Sequence, residues 1–280
     1  MEIPQQSNSE QAALWNGLAG RTWVEEQALL DQMLEPFQDL LVAAVAAASA
    51  RRVLDVGCGA GGTTLAIARL LGDRARCTGI DISEPLVEAA RQRAERESVP
   101  ATFVRADAQE HAFEPAGFDT IVSRFGVMFF EDPVRAFANL RRAAPDGAAL
   151  RFVAWRSAEE NPFMTTAERA AAPLLPTLPP RRPDAPGMFS FADQRKVTRI
   201  LEEGGWADVD MRPIDVACSL PEGSLIRYVT RLGPLALVLH TVDERTRTQV
   251  IETVRAAFDP YVDGAVVRTT AACWFVAARA

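Results

Sequence analysis

The segment Val53–Thr64 (VLDVGCGAGGTT) concentrates the residues that can do chemistry. Gly57, Gly59 and Gly62 satisfy GxGxxG at a strand-to-helix junction, where missing side chains let a ligand approach the backbone closely. That pattern alone also fits a dinucleotide site. Asp55 lies inside the strand, two residues before Gly57, where its carboxylate repels a pyrophosphate and attracts an ammonium or sulfonium group. Asp55, Asp81 and Asp107 follow one another at 26-residue intervals, each closing one of three successive strand-like runs. The three carboxylates therefore gather along the C-terminal edge of a sheet, the edge at which open α/β folds bind ligands.

The elements that position them alternate in type. Short β-branched runs (Arg52–Val56, Cys77–Ile82, Thr102–Arg105, Phe118–Arg124 and Leu150–Trp155) are separated by helix candidates at Thr63–Leu71, Glu84–Glu97 and Pro133–Ala144. Ser83 is placed to cap the second helix, and Asp132 before Pro133 starts the third. This rhythm predicts parallel βαβ units and an open α/β sheet. Upstream, the first twenty residues read as irregular, and helical spacing runs from Trp23 to about Ala48 with an interruption at Pro36.

After Trp155 the rhythm breaks. Asn161–Leu175 reads as a helix, and Pro173–Gly187 carries six prolines in fifteen residues, which makes it a surface loop or a lid. Phe191–Glu203 reads as a helix and Val209–Cys218 as a strand. Glu222–Tyr228, Leu235–His240 and Asp243–Phe258 read as helices, the last with a capping box of Thr241 and Glu244. Ala265–Ala278 closes the chain as a long apolar strand.

Composition narrows the function. The 280 residues are 48% hydrophobic and 24% charged, values of a globular chain that buries a full core. The longest uncharged stretch, Val56–Ala68, is far short of the roughly 20 apolar residues that span a bilayer. No basic start followed by an apolar block opens the sequence, so no secretory signal is expected. The net charge of −7 and the absence of a basic stripe argue against nucleic acid as a partner. Cys58, Cys77, Cys218 and Cys273 form no CxxC pair, and with two histidines they suggest no metal site. A reducing cytoplasm is the expected compartment.

VLDVGCGAG, GIDIS and RADAQ, followed by FDTIVSRFGVMFFEDP and a PDG turn before LRFVAW, resemble class I S-adenosylmethionine-dependent methyltransferases. The similarity is greatest to the small-molecule branch that includes ubiquinone- and menaquinone-type enzymes, and it is strong from Arg51 to Trp155. Asp146 departs from the usual Pro-Gly-Gly turn. The resemblance implies a Rossmann-like sheet of seven mostly parallel strands with an antiparallel last strand, plus a mainly helical cap. The organisation expected is an N-terminal helical lid over 1–50, a cofactor-binding α/β core over 51–156 and a cap insertion with the proline-rich loop over 157–190. A core helix and strand follow over 191–220, a helical cap over 221–264 and the last core strand over 265–280.

The resemblance also assigns residues. Asp55, Gly57, Cys58 and Gly59 would approach the methionine part of S-adenosylmethionine. Asp81, with Ile82 beside it, would accept the ribose hydroxyls. Asp107 and the Ala108 amide would take the adenine, and Ser123 would face the methionyl group. Arg124 is placed to meet the cofactor carboxylate or an acidic acceptor, or to form a structural ion pair. Trp15 and Trp23 are candidates for a lid over the methionine end, although such residues also serve as core. Asp107 also fits a plain turn former.

Methyl transfer from a sulfonium needs alignment and exclusion of water, and a base only when the acceptor must lose a proton. His240 and Tyr228 are the candidate catalytic groups; His111, four residues past Asp107, is a poor one. The expected acceptor is a hydrophobic, aromatic or polyketide-like small molecule, methylated on O, N or C. Its pocket would be walled by Phe163, Met164, Leu174, Leu175, Met188, Phe189, Leu232, Leu235 and Leu239. A homodimer is left open. The alternatives are a protein that binds the cofactor without transferring a methyl group (a regulator or a cyclase) and an NAD-dependent oxidoreductase.

Overall fold

A computed structural model describes residues 8–178 and 185–280. The chain enters through three helices, α1 (Ser9–Asn16), α2 (Leu18–Glu25) and α3 (Gln27–Ala47). The helical start corrects the irregular reading of the first twenty residues. No residue of α1 is buried, so hydrophobic periodicity gives no signal there. The helix is docked by polar ties instead. Ser83 Oγ donates to the Trp15 carbonyl at 2.7 Å, and the Asn16 amide bridges the Ile82 carbonyl and the Glu84 N–H. Pro36 does not interrupt α3. The buried stripe Met33, Phe37, Leu41 and Val45 flanks it and outweighs the roughly 3 kcal/mol that an interior proline costs.

The α/β core follows as β1 (Arg52–Val56), α4 (Gly62–Leu71), β2 (Arg76–Asp81), α5 (Glu84–Glu97), β3 (Ala101–Arg105), β4 (Thr120–Arg124), α6 (Pro133–Arg142) and β5 (Ala149–Trp155). These five strands are all parallel. Then come α7 (Pro162–Ala171), α8 (Gln194–Glu203) and β6 (Ala207–Pro221). The chain continues through α9 (Leu225–Arg231), α10 (Pro234–Val238), α11 (Glu244–Ala257), β7 (Val262–Asp263) and β8 (Val266–Arg279). The sheet order is β3-β2-β1-β4-β5-β8-β6, with β8 antiparallel to both neighbours. Seven strands thus form the expected path, and β7 is a two-residue addition paired with β8. The antiparallel strand between β5 and β6 departs from the dinucleotide-binding order 3-2-1-4-5-6.

Two caps differ in detail from the sequence reading. Ser83 occupies the N-cap of α5 but makes no side-chain cap bond there, its hydroxyl being spent on Trp15. The N-cap of α11 is Asp243, which accepts from the Thr246 N–H at 2.8 Å, and no Thr241–Glu244 box forms. Asp132 caps α6 as expected, through the Arg135 N–H.

The main core lies between the sheet and α3, α6 and α8, where Phe37, Phe137, Phe152 and Phe191 are fully buried. A second apolar cluster joins Met33 of α3 to Leu225, Val229, Leu235, Val250 and Val254 beneath the cap helices. Residues 179–184 of the proline-rich segment, where a surface loop or a lid is expected, lie outside the described residues. Its C-terminal flank is anchored, since the Gly187 N–H and Ser190 Oγ both donate to the Met128 carbonyl.

Candidate active site

The loop after β1 turns where only glycine is comfortable. Gly57 and Gly59 have φ of +68° and +54°, and a Cβ on Gly57 would stand 2.6 Å from the Gly126 Cα. A Cβ on Gly59 would meet nothing within 4 Å. The loops after β1 and β4 thus touch backbone to backbone, and Ser123 ties them. Its Oγ donates to the Val56 carbonyl at 2.7 Å and accepts from the N–H groups of Gly126 and Val127. Fully buried by these bonds, Ser123 lies outside the cavity lining, contrary to the expectation that it faces a ligand.

The three aspartates separate in role. Asp55 lies beneath the glycine loop, 1% exposed and not part of the cavity wall, which corrects its placement beside a ligand. Thr64 Oγ1 donates to its Oδ2 at 2.6 Å while Oδ1 has no partner. Burial pushes the Asp55 carboxyl up to about 6, against the opposing pull of Thr64 and Arg124. Asp81, at the end of β2, does line the cavity. It accepts from the Gly59 N–H at 2.8 Å and the Ser83 N–H at 2.9 Å, and burial raises it. Asp107 holds a turn, its Oδ1 accepting from the Gln109 N–H, and it also lines the cavity.

Cys58, Ile82, Ala108 and Arg124 stand on the same wall. The Cys58 thiol is pushed up by burial and by Asp81 and Asp55, so it is no nucleophile. Burial lowers Arg124, opposed by Asp31 and Asp55. Asp31, on α3, was missed by sequence reading; it lines the cavity and pairs with Arg93 at 3.0 Å.

The cavity measures about 480 Å³ and runs from the glycine loop into the cap. Beyond Arg124 its wall is largely apolar, with Glu168 of α7 its one acidic residue: Met33 and Leu34 of α3, the stacked pair Phe125 and Trp155 at 4.3 Å, and Phe163 and Met164 of α7. Met188, Leu232 and Leu235 join this wall as expected, whereas Leu174, Leu175, Phe189 and Leu239 do not. Trp15 and Trp23 meet edge to face at 5.3 Å on the lining, and Trp15 also packs on Phe129. Ser83 holds the Trp15 backbone beside the end of β2.

The candidate catalytic groups divide. Tyr228, on α9, lines the apolar chamber, and burial raises its phenol to about 12. His240 is exposed on a single 3-10 turn, Leu239–Thr241, outside the lining. That placement corrects its assignment as a base. Among the described residues no group of three or more His, Cys, Asp or Glu side chains is placed to hold a metal ion.

The wall at the sheet edge carries Asp31, Asp81 and Asp107 against one cation, Arg124. Such a set of carboxylates disfavours a pyrophosphate and fits a nucleoside with a cationic tail. Fold and site together define an α/β protein whose sheet-edge cavity opens into a largely apolar second chamber. Residues 53–147 match the methyltransferase domain family, and over that segment the chain is similar to the class I S-adenosylmethionine-dependent methyltransferases, whose methyl donor is S-adenosylmethionine.

An uncharacterised protein of Mycobacterium tuberculosis is 28% identical over 180 residues, 63% of this chain and 61% of that one. The chain therefore spans less than two thirds of that relative's length. The demethylmenaquinone methyltransferase of Renibacterium salmoninarum is 24% identical over 74% of this chain and 87% of its own. Among solved structures, the YcgJ protein of Bacillus subtilis superposes with a TM-score of 0.57 at 18% identity, covering 86% of this chain and 97% of that one. That likeness concerns the fold. No helix among the described residues is long and apolar enough to cross a membrane.

Proposed function

We propose that the protein transfers a methyl group from S-adenosylmethionine to an oxygen, nitrogen or carbon of an uncharged, hydrophobic small molecule. One observation carries this reading: a single cavity joins the carboxylate-lined sheet edge to a chamber walled by Phe125, Trp155, Phe163 and Tyr228. When bound, the cofactor supplies an electrophilic methyl group on a sulfonium. Asp81 and the glycine loop then hold the nucleoside, Arg124 meets the carboxylate, and the aromatic walls exclude water and align the acceptor. Tyr228, protonated at neutral pH, donates a hydrogen bond to the acceptor's polar atom and does not act as a base. In this scheme residues 8–26, 157–178, 185–190 and 221–264 form a cap over a core of 27–156, 191–220 and 265–280.

The test is methyl transfer from labelled S-adenosylmethionine to a panel of phenols, amines and enols, beside calorimetry with the demethylated product. Transfer to an apolar member supports the proposal. Product binding without transfer to any member would favour the regulator or cyclase reading, and failure to bind either form of the cofactor would end both.

A further inference from the structure

The outer wall at the nucleoside end is the first turn of α1, and it carries polar atoms that find no partner among the described residues. Asn8 is 7% exposed and occupies the N-cap, where an asparagine oxygen ordinarily accepts from a helix N–H. No such bond forms here. The side chain turns to the sheet edge instead, and its Nδ2 donates to Asp107 Oδ1 at 3.3 Å. That bond uses the amide's donor and leaves its Oδ1 buried at the cavity wall without a partner. Gln11, one turn further along α1, lines the same cavity, and its Oε1 is likewise buried and unpaired. Together with the Asp107 carboxylate, these two amide oxygens set three side-chain acceptors on one corner of the cavity.

Buried acceptors persist where a ligand supplies the missing donors. A corner of acceptors fits an exocyclic amino group, whose two N–H bonds need two partners. A ring carbonyl in that place would set oxygen against oxygen. We infer, on the reading proposed above, that Asn8 and Gln11 determine specificity for the purine of the cofactor. Asp107 takes one N–H of a 6-amino purine and the α1 amides take the other, so the chain rejects a 6-oxo purine more strongly than Asp107 alone would.

The experiment compares S-adenosylhomocysteine with S-inosylhomocysteine by calorimetry on the full chain, in the wild type, Asn8→Ala, Gln11→Ala and the double variant. Each single variant is expected to weaken the adenosyl ligand by about 3- to 10-fold and leave the inosyl ligand unchanged, so the preference ratio narrows. Thermal melts of the four proteins check that the sheet stays folded, which the lack of buried residues in α1 leads us to expect. A parallel loss for both ligands, with the ratio intact, would make the amides mere ties of α1 and overturn the inference. A wild type that binds neither ligand overturns the cofactor reading and this inference with it.

Discussion

Asp81 and Asp55 are both carboxylates raised by burial, yet one faces the cavity and the other lies under its floor. Asp81→Ala is expected to weaken S-adenosylhomocysteine binding by about 10- to 100-fold, the range for hydrogen bonds to a charged group, measured by calorimetry. Asp55→Asn is a matter of stability. Its carboxyl is raised from 3.8 to about 6 on folding, so the protonated form favours the native state below pH 4 and that contribution disappears as pH climbs through 6. At pH 8 the wild type carries the full penalty, on the order of 3 kcal/mol. Urea titrations are expected to find Asp55→Asn the more stable protein at pH 8 by up to about that amount, and level with the wild type at pH 4. No gain at pH 8 would refute burial as the cause. For the acceptor chamber, Tyr228→Phe is expected to lower turnover about fivefold, the scale of one hydrogen bond. With the phenol near 12, that loss is to be the same from pH 6 to 9. His240→Ala, outside the cavity, is to leave turnover within about twofold of wild type.

At the scale of elements, the βαβ units were legible because burial there is periodic and the caps are local: α5 spans Glu84–Glu97 as read, and Asp132 caps α6. What escaped reading was held by distant partners. No stripe of buried residues marks α1, whose ties run to Ile82, Ser83 and Asp107. Asp55 and Ser123 lie in β1 and β4, where the sequence places strands, but side-chain direction depends on which loop crosses which. Thr64 holds the Asp55 side chain and the Val56 carbonyl that of Ser123, where the loops meet at Gly57 and Gly126. Glu26 is a further element-scale feature that sequence could not disclose. Buried at the junction of α2 and α3, it accepts from Arg227 Nε at 2.8 Å and pairs with Arg231 Nε at 2.6 Å, both on α9. Its arginine partners are half-exposed and can resolvate, so Glu26→Ala is expected to cost about 1–2 kcal/mol, less than a fully enclosed pair. Hydrogen exchange is to quicken across Ser9–Glu25 and stay unchanged in β1 and β4. Uniform quickening would mean that the pair supports the whole fold.

At the scale of the molecule, the sheet topology was readable from the alternation of elements and from the resemblance, whereas the shape of the cap was not. Its helices are short, and they pack on one another and on Met33 more than on the sheet. The position of β8 has a consequence for synthesis on the ribosome. It is the interior strand that β5 and β6 both pair with, and it follows every other element in chain order. A nascent chain that has not yet extruded Val266 therefore carries two bare strand edges, a template for wrong pairing with neighbours on the same polysome. Long-range closure of this kind is slow, so the vulnerable interval opens with the emergence of β5 and ends only when β8 slots between its partners. Stalled chains ending before Val266 are expected to remain protease-sensitive and chaperone-bound, and those extending past Arg279 by enough residues to clear the exit tunnel are expected to become resistant in one step.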